Sequence, residues 1–135
     1  MSETKRTPKG ELAIRVLAMP SDTNPAGDIF GGWVLSQMDI AGGLVTAKEC
    51  SGRTVTIAID SMNFHKPVLV GDTLCCYVEV TRRGKTSIEV KIESWAKRQF
   101  EDDRVLVTEG VFTYVAVTKD RIPRAIDSEY IDSSN

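Results

Sequence analysis

One carboxylate and one pair of glycines stand out as groups that could do chemistry. Asp39 lies in Gly31-Gly32-Trp33-Val34-Leu35-Ser36-Gln37-Met38-Asp39-Ile40-Ala41-Gly42-Gly43. Val34, Leu35, Met38, Ala41 and Val45 recur at three- and four-residue spacing, which predicts an α-helix from about Gly31 to about Glu49. At about 100° per residue Asp39 falls on the border of that apolar stripe, on the side of Gly32, Leu35, Gly42 and Gly43. A carboxylate beside such a smooth flank can work as a general base or as a nucleophile. Gly31 and Gly32 open the helix, and the unpaired N–H groups of a helix N-terminus can hold a negatively charged oxygen. Each glycine inside a helix costs ~1 kcal/mol relative to alanine. Gly42 and Gly43 therefore predict that another backbone or a ligand comes very close.

Other polar groups have plainer readings. Asp28 stands just before the helix, where a capping carboxylate is common. Asp22, in Ser21-Asp22-Thr23-Asn24, has the form of an Asx turn, and Asn24 could be a turn former of the same kind. Asp22 and Asp28 are the competitors of Asp39. His65 is the only histidine. It follows Phe64 at a strand end, and no Ser-His or Cys-His pair can be built without it. Ser36 is not in a Gly-x-Ser-x-Gly elbow, which argues against a serine hydrolase. Cys75 and Cys76 are adjacent, so on a strand they point to opposite faces. With Cys50 they read as reduced, partly buried thiols.

The elements that must hold these residues follow from pattern. A short strand fits Glu11 to Met19, with Leu12, Ile14 and Val16 alternating and Pro20 ending it. The breaker-rich loop Ser21 to Phe30 leads into the helix. Four strands follow: Arg53 to Phe64, Thr73 to Arg83, Thr86 to Arg98 and Arg104 to Val117. On the first of these, Val55, Ile57 and Ile59 share a face. On the last, Val105, Val107, Glu109, Val111, Thr113 and Val115 share a parity. Arg82-Arg83-Gly84-Lys85 reads as a hairpin turn. Short connections imply antiparallel neighbours. The result is an α+β domain, about five strands curling around one long helix, an arrangement that resembles the hotdog fold. The expected organisation is a flexible arm over residues 1–10, one domain over 11–118 and a polar tail over 119–135. The sheet's other face still has Val, Ile and Phe to hide, which predicts a homo-oligomer.

The charges nearly cancel, 17 Lys and Arg against 19 Asp and Glu in 135 residues. Nothing global points to nucleic acid. No apolar run approaches the ~18 residues of a membrane span, and the N-terminal residues lack the apolar core of a signal peptide. A cytoplasmic protein without membrane insertion is the expectation.

Several separate motifs, in order and at matching spacings, resemble one family. They are Ala18-Met19-Pro20-Ser21-Asp22-Thr23-Asn24, Gly27-Asp28-Ile29-Phe30-Gly31-Gly32-Trp33 and Ser36-Gln37-Met38-Asp39. Arg53-x-Val55-Thr56, Met62-x-Phe64-x-Lys66-Pro67-Val68, Val70-Gly71-Asp72, Cys75-Cys76-Tyr77, Thr86-Ser87, Trp95 and Tyr114-Val115-Ala116-Val117 continue the match. Together they resemble the bacterial YciA-type acyl-CoA thioesterases, relatives of the animal brain-type acyl-CoA hydrolase, from about Leu12 to about Val117.

The resemblance implies hydrolysis of acyl-CoA to free acid and CoA, with no metal and no cofactor beyond the CoA of the substrate itself. It implies sites at a dimer interface and dimers assembled into hexamers, a trimer of dimers. It places the catalytic carboxylate at Asp39 and Asn24 in the same site, where its amide would orient water or the thioester. Gly31 and Gly32, Gly32 above all, would then polarise the thioester carbonyl across the dimer interface. Coenzyme A carries a 3′-phosphate and a diphosphate, which Arg82, Arg83, Gly84, Lys85, Thr86 and Ser87 could meet, with Lys66 a further candidate. The rival readings are a non-catalytic acyl-CoA-binding module and an enoyl-thioester hydratase, the latter wanting a histidine beside the aspartate.

Overall fold

The computed structural model describes residues 6–129. One helix, α1 (Gly31–Cys50), crosses a five-stranded sheet of β1 (Glu11–Leu17), β2 (Thr54–Phe64), β3 (Thr73–Arg83), β4 (Ser87–Lys97) and β5 (Arg104–Ala116). A short 3-10 turn, Pro20–Asp22, lies between β1 and α1. Strand order is β1-β3-β4-β5-β2, and all pairs are antiparallel. This is the expected helix wrapped in a curled sheet.

The helix forms its core face as the spacing demands. Val34, Met38, Ala41 and Val45 are buried, while Leu35 is only half-buried. They meet Leu74, Ile88, Val90, Ile92, Phe112 and Tyr114, all inaccessible or nearly so. Burying each such large side chain contributes about 1.5–3 kcal/mol. Phe112 and Tyr114 stack with centroids 6.4 Å apart. Cys50, Cys75 and Cys76 are buried free thiols, and burial pushes Cys76 up to about 12.

Two expectations about the strands need correction. β2 and β3 are not neighbours: β2 pairs only with β5, at one edge of the sheet. Residues 65–72 instead cross three strand positions, about 14 Å at the usual spacing, which eight residues span easily. That crossover is held by buried Val68 and by Arg98, which donates to the Pro67 carbonyl at 3.2 Å and pairs with Asp72. The parity of β5 also changes along its length. Ser94 faces Thr108 but Trp95 faces Leu106, so Val107 is an extra, bulged residue. Beyond it the even positions Phe112, Tyr114 and Ala116 turn to the helix.

The chain's ends are tied down further than their polarity suggests. In the arm, Arg6 donates to both Glu93 (2.9 Å) and Glu109 (2.9 Å), and the Lys9 N–H reaches Glu93 at 3.2 Å. Glu93 is 1% exposed, and a buried carboxylate must find donors. The Trp95 indole supplies another at 3.0 Å. In the tail, Ile126 is buried, and Arg124 donates to the Cys50 carbonyl at 2.7 Å, which satisfies the end of α1. The arm before residue 6 and the tail after 129 lie outside the described residues.

The hydrogen bond from Arg6 holds the Glu109 carboxyl at about 2, below its ordinary 4.5. A depressed carboxylate stabilises the fold above its unfolded value and loses that contribution as pH falls through its folded value. Resistance of the wild type to urea should therefore fall between pH 4.5 and about 2, and Arg6→Ala should flatten that dependence. An unchanged slope in the variant would contradict this assignment.

Candidate active site

The helix start is open, as its glycines foretell. Phe30 is the N-cap residue and its side chain makes no capping bond. The N–H groups of Trp33 and Val34 return to the Phe30 carbonyl (3.1 and 3.3 Å), whereas those of Gly31 and Gly32 have no acceptor among the described residues. A β-carbon on Gly32 would meet nothing within 4 Å, so the space above it is free. The expected capping role of Asp28 is not found; its backbone closes a turn with Asn24 instead. Asp22 accepts the Met19 N–H at 3.0 Å and is a turn former.

Asp39 is held by two side chains that sequence reasoning did not single out as functional. The Thr56 hydroxyl donates to its Oδ1 at 2.6 Å, and the Tyr114 hydroxyl donates to the same oxygen at 2.8 Å and to the Asp39 carbonyl at 2.9 Å. Burial first, then Asp39 itself, pushes the Tyr114 phenol above its ordinary value, so it remains a donor at any working pH. Oδ2 makes no hydrogen bond among the described residues. The carboxylate is thus oriented through one oxygen and leaves the other for chemistry.

At Gly42 the close approach is made by a side chain, not by the backbone or ligand that the interior glycines predict. A β-carbon there would press into the Tyr114 hydroxyl and lie 2.8 Å from Ile92 Cδ1. The helix gives up a side chain so that Tyr114 can pass under it to Asp39. Gly43, by contrast, faces open space. Tyr114→Phe should lower kcat of any reaction that uses Asp39 about tenfold or more, since a hydrogen bond to a charged group contributes about 1.5–3 kcal/mol. Unchanged kcat in that variant would reduce Tyr114 to core packing.

The remaining candidates spread along the helix. The Asn24 side-chain oxygen accepts the N–H groups of Ala26 (3.0 Å) and Asp28 (3.1 Å), which leaves only its amide NH₂ for a ligand. Lys66 and Gly31 line a shared cavity of about 310 Å³ with His65 and Phe64. His65 itself is engaged by Glu109 at 2.8 Å. The hairpin Arg82 to Lys85 sits at the opposite end of α1. Arg83 there pairs with Asp127 (3.0 Å) and Glu49 (3.5 Å), while Arg82, Gly84, Lys85, Thr86 and Ser87 border the same turn. Gly32 and Asp39 are seven residues apart, about 10 Å of helix rise. No three His, Cys, Asp or Glu side chains cluster as a metal site among the described residues.

The sequence matches the thioesterase superfamily model over residues 26–100. The chain belongs to the thioesterase superfamily. Within this family it is 47% identical over 129 residues to the acyl-CoA thioester hydrolase YciA of Salmonella typhimurium, covering 93% of this chain and 97% of that one. The fold matches the hexameric thioesterase of Yersinia pestis with a TM-score of 0.86 at 50% identity, over 91% of this chain and 100% of the other. A more distant thioesterase-fold relative is an acyl-CoA hydrolase of Staphylococcus aureus, at 26% identity and TM-score 0.75, over 83% of this chain and 69% of that one. Its solved structures include an aspartate-to-alanine and a threonine-to-alanine mutant, whose substituted positions lie seventeen residues apart.

Proposed function

We propose that this thioesterase-superfamily chain hydrolyses acyl-CoA, releasing the free acid and CoA, with Asp39 as the reacting carboxylate. The observation that carries the reading is the Thr56–Asp39–Tyr114 clamp. Thr56 follows Asp39 by 17 residues, the same separation as the two positions mutated in the Staphylococcus aureus hydrolase. As base, Asp39 takes a proton from water while the oxygen adds to the thioester carbonyl. The tetrahedral oxyanion then collapses, and CoA leaves as thiolate and regains the proton. As nucleophile, Asp39 forms a mixed anhydride with loss of CoA thiolate, and water opens it. Single turnover in ¹⁸O-water separates the two, because only the anhydride route can place label in Asp39.

The oxyanion needs donors that Asp39's own chain keeps about 10 Å away. Gly31 and Gly32 of a second copy supply them in this reading, with the Asn24 amide orienting water or thioester beside them. The exposed surface supports such a pairing. β2 is an edge strand whose Val55, Ile57 and Ile59 are exposed, and Ile40 and Leu44 of α1 are exposed as well. A homodimer would cover them, and three dimers would make a hexamer. Lys66 and the hairpin residues Arg82, Arg83, Lys85, Thr86 and Ser87 offer charge and hydroxyls to CoA phosphates. No cofactor is invoked.

Thiol release from acyl-CoAs of short to long chain tests the reading. Steady turnover is expected. Binding without turnover at every chain length would replace the hydrolase by an acyl-CoA-binding module.

A further inference from the structure

A cavity of about 590 Å³ lies on the flank of α1 that carries Asp39. Gly43 and Ala47 form its helix wall, four and eight residues beyond Asp39 and therefore on the same stripe. Thr54 and Val55 form its strand wall. Thr54 is two residues before Thr56 on an unbulged stretch of β2, so both point to the same side. Thr54 is also bonded to Thr46 at 2.9 Å, just as Thr56 is bonded to Asp39. The α1–β2 seam thus runs unbroken from the carboxylate to the cavity, 6–12 Å further along the helix.

The cavity's far wall is cationic. Arg53 and Arg121 line it and no acidic residue does. Neither guanidinium makes an ion pair among the described residues. Arg121 is held at φ 65°, a left-handed conformation that is strained for any residue with a β-carbon. The turn that imposes it is closed by bonds from Arg121 N–H to the Thr118 carbonyl (2.9 Å) and from Thr118 N–H to the Ile122 carbonyl (2.8 Å). Strain kept at a cavity wall is a mark of a position with a task.

We propose that Arg53 and Arg121 form the diphosphate anchor for the CoA end of the substrate, with the pantetheine arm lying along Gly43 and Ala47. This rests on the hydrolase reading above. An arm of this kind spans roughly 15 Å, comparable to four or five extended residues. That length fits the run from Asp39 to the two guanidiniums. The small walls leave room for the arm, and guanidinium pairs suit phosphate oxygens in bidentate fashion. The hairpin Arg82 to Lys85 is farther off. Thr86 bonds to Ala116 on one side of β5 while Arg53 bonds to Val117 on the other, a separation of about 10 Å. In this arrangement the hairpin is left for the more remote 3′-phosphate.

The test compares acyl-CoA with the S-acyl-pantetheine of the same chain, which lacks every phosphate. Arg53→Ala and Arg121→Gly are the variants; glycine accepts the positive φ, so the second removes the guanidinium without adding strain. KM for acyl-CoA should rise about tenfold or more in each, kcat should stay within about twofold, and KM for acyl-pantetheine should not move. Arg53→Lys should recover part of the loss. Equal losses on both substrates, or none on acyl-CoA, would overturn the anchor. Calorimetric titration with CoA alone reads the same contact without turnover. If the wild type bound CoA but hydrolysed nothing, the hydrolase reading would fail. The anchor would then stand or fall on whether the variants bind CoA more weakly.

Discussion

Asp39→Asn should cut thiol release from acyl-CoA by about 10²-fold or more while leaving the fold intact. Asparagine is nearly isosteric, and its side-chain oxygen can still accept from both Thr56 and Tyr114. What it lacks is the second, unbonded oxygen, which can neither take a proton nor attack a carbonyl once it is an NH₂. The expected signature is a collapse of kcat with KM and melting temperature nearly unchanged. Turnover that survived would move the chemistry to another carboxylate. Asp28 would then be the next to test, since Asp22 is already committed to its turn.

Gly42→Ala should be the second large effect, because two opposing terms meet at one methyl group. Helix propensity favours alanine by ~1 kcal/mol. The methyl would, however, overlap the Tyr114 hydroxyl and crowd Ile92, and overpacking of a tight core costs about 1–3 kcal/mol. Tyr114 must give way, and with it the bond that orients Asp39. Activity should fall by tenfold or more, and the melting temperature should fall as well. Gly43→Ala is the control. It gains the same propensity and meets open space, so its melting temperature should rise. Two adjacent glycines in one helix with opposite responses would establish that Gly42 exists for Tyr114. A Gly42→Ala protein more stable than wild type would contradict the packing.

Much of this arrangement was legible in the residues. The helix period placed Asp39 on a border, and the glycine pair at positions 31 and 32 announced an open helix start. The two interior glycines announced a close backbone or ligand; what comes close at Gly42 is instead a side chain, that of Tyr114, and Gly43 has nothing against it among the described residues. Tyr114 sits 75 residues away, on a strand whose parity is inverted by the bulge at Val107. Period-two reading of Arg104 to Val117 therefore put the odd positions together and passed over the even position that matters. Thr56 was lost for a related reason. On β2 the alternation of Val55, Ile57 and Ile59 suggests one apolar face, but a register shift between Thr56 and Ala58 breaks that alternation, and all three residues are exposed in the single chain. In the function proposed above, a second copy covers them. The place of β2 beside β5 was equally out of reach, because a crossover of eight residues and a loose hairpin have the same composition. The docked ends depended on single long-range contacts, Arg6 with Glu93 and Arg124 with the end of α1, which no local pattern reports.

The central claim is that each reaction centre takes Asp39 from one copy and the Gly31/Gly32 helix end from another. Subunit complementation tests it most directly. Asp39→Asn removes the carboxylate, and Gly32→Pro removes one N–H within the first helical turn, where proline is tolerated. Each variant alone should be inactive. Unfolded together in equal amounts and refolded, they would form mixed dimers in which one centre carries both lesions and the other carries neither. Random pairing then restores about a quarter of wild-type specific activity. Recovery near that level is the result expected here. No recovery, with mixed dimers present, would mean that the carboxylate and the glycine amides serve the same centre from a single chain.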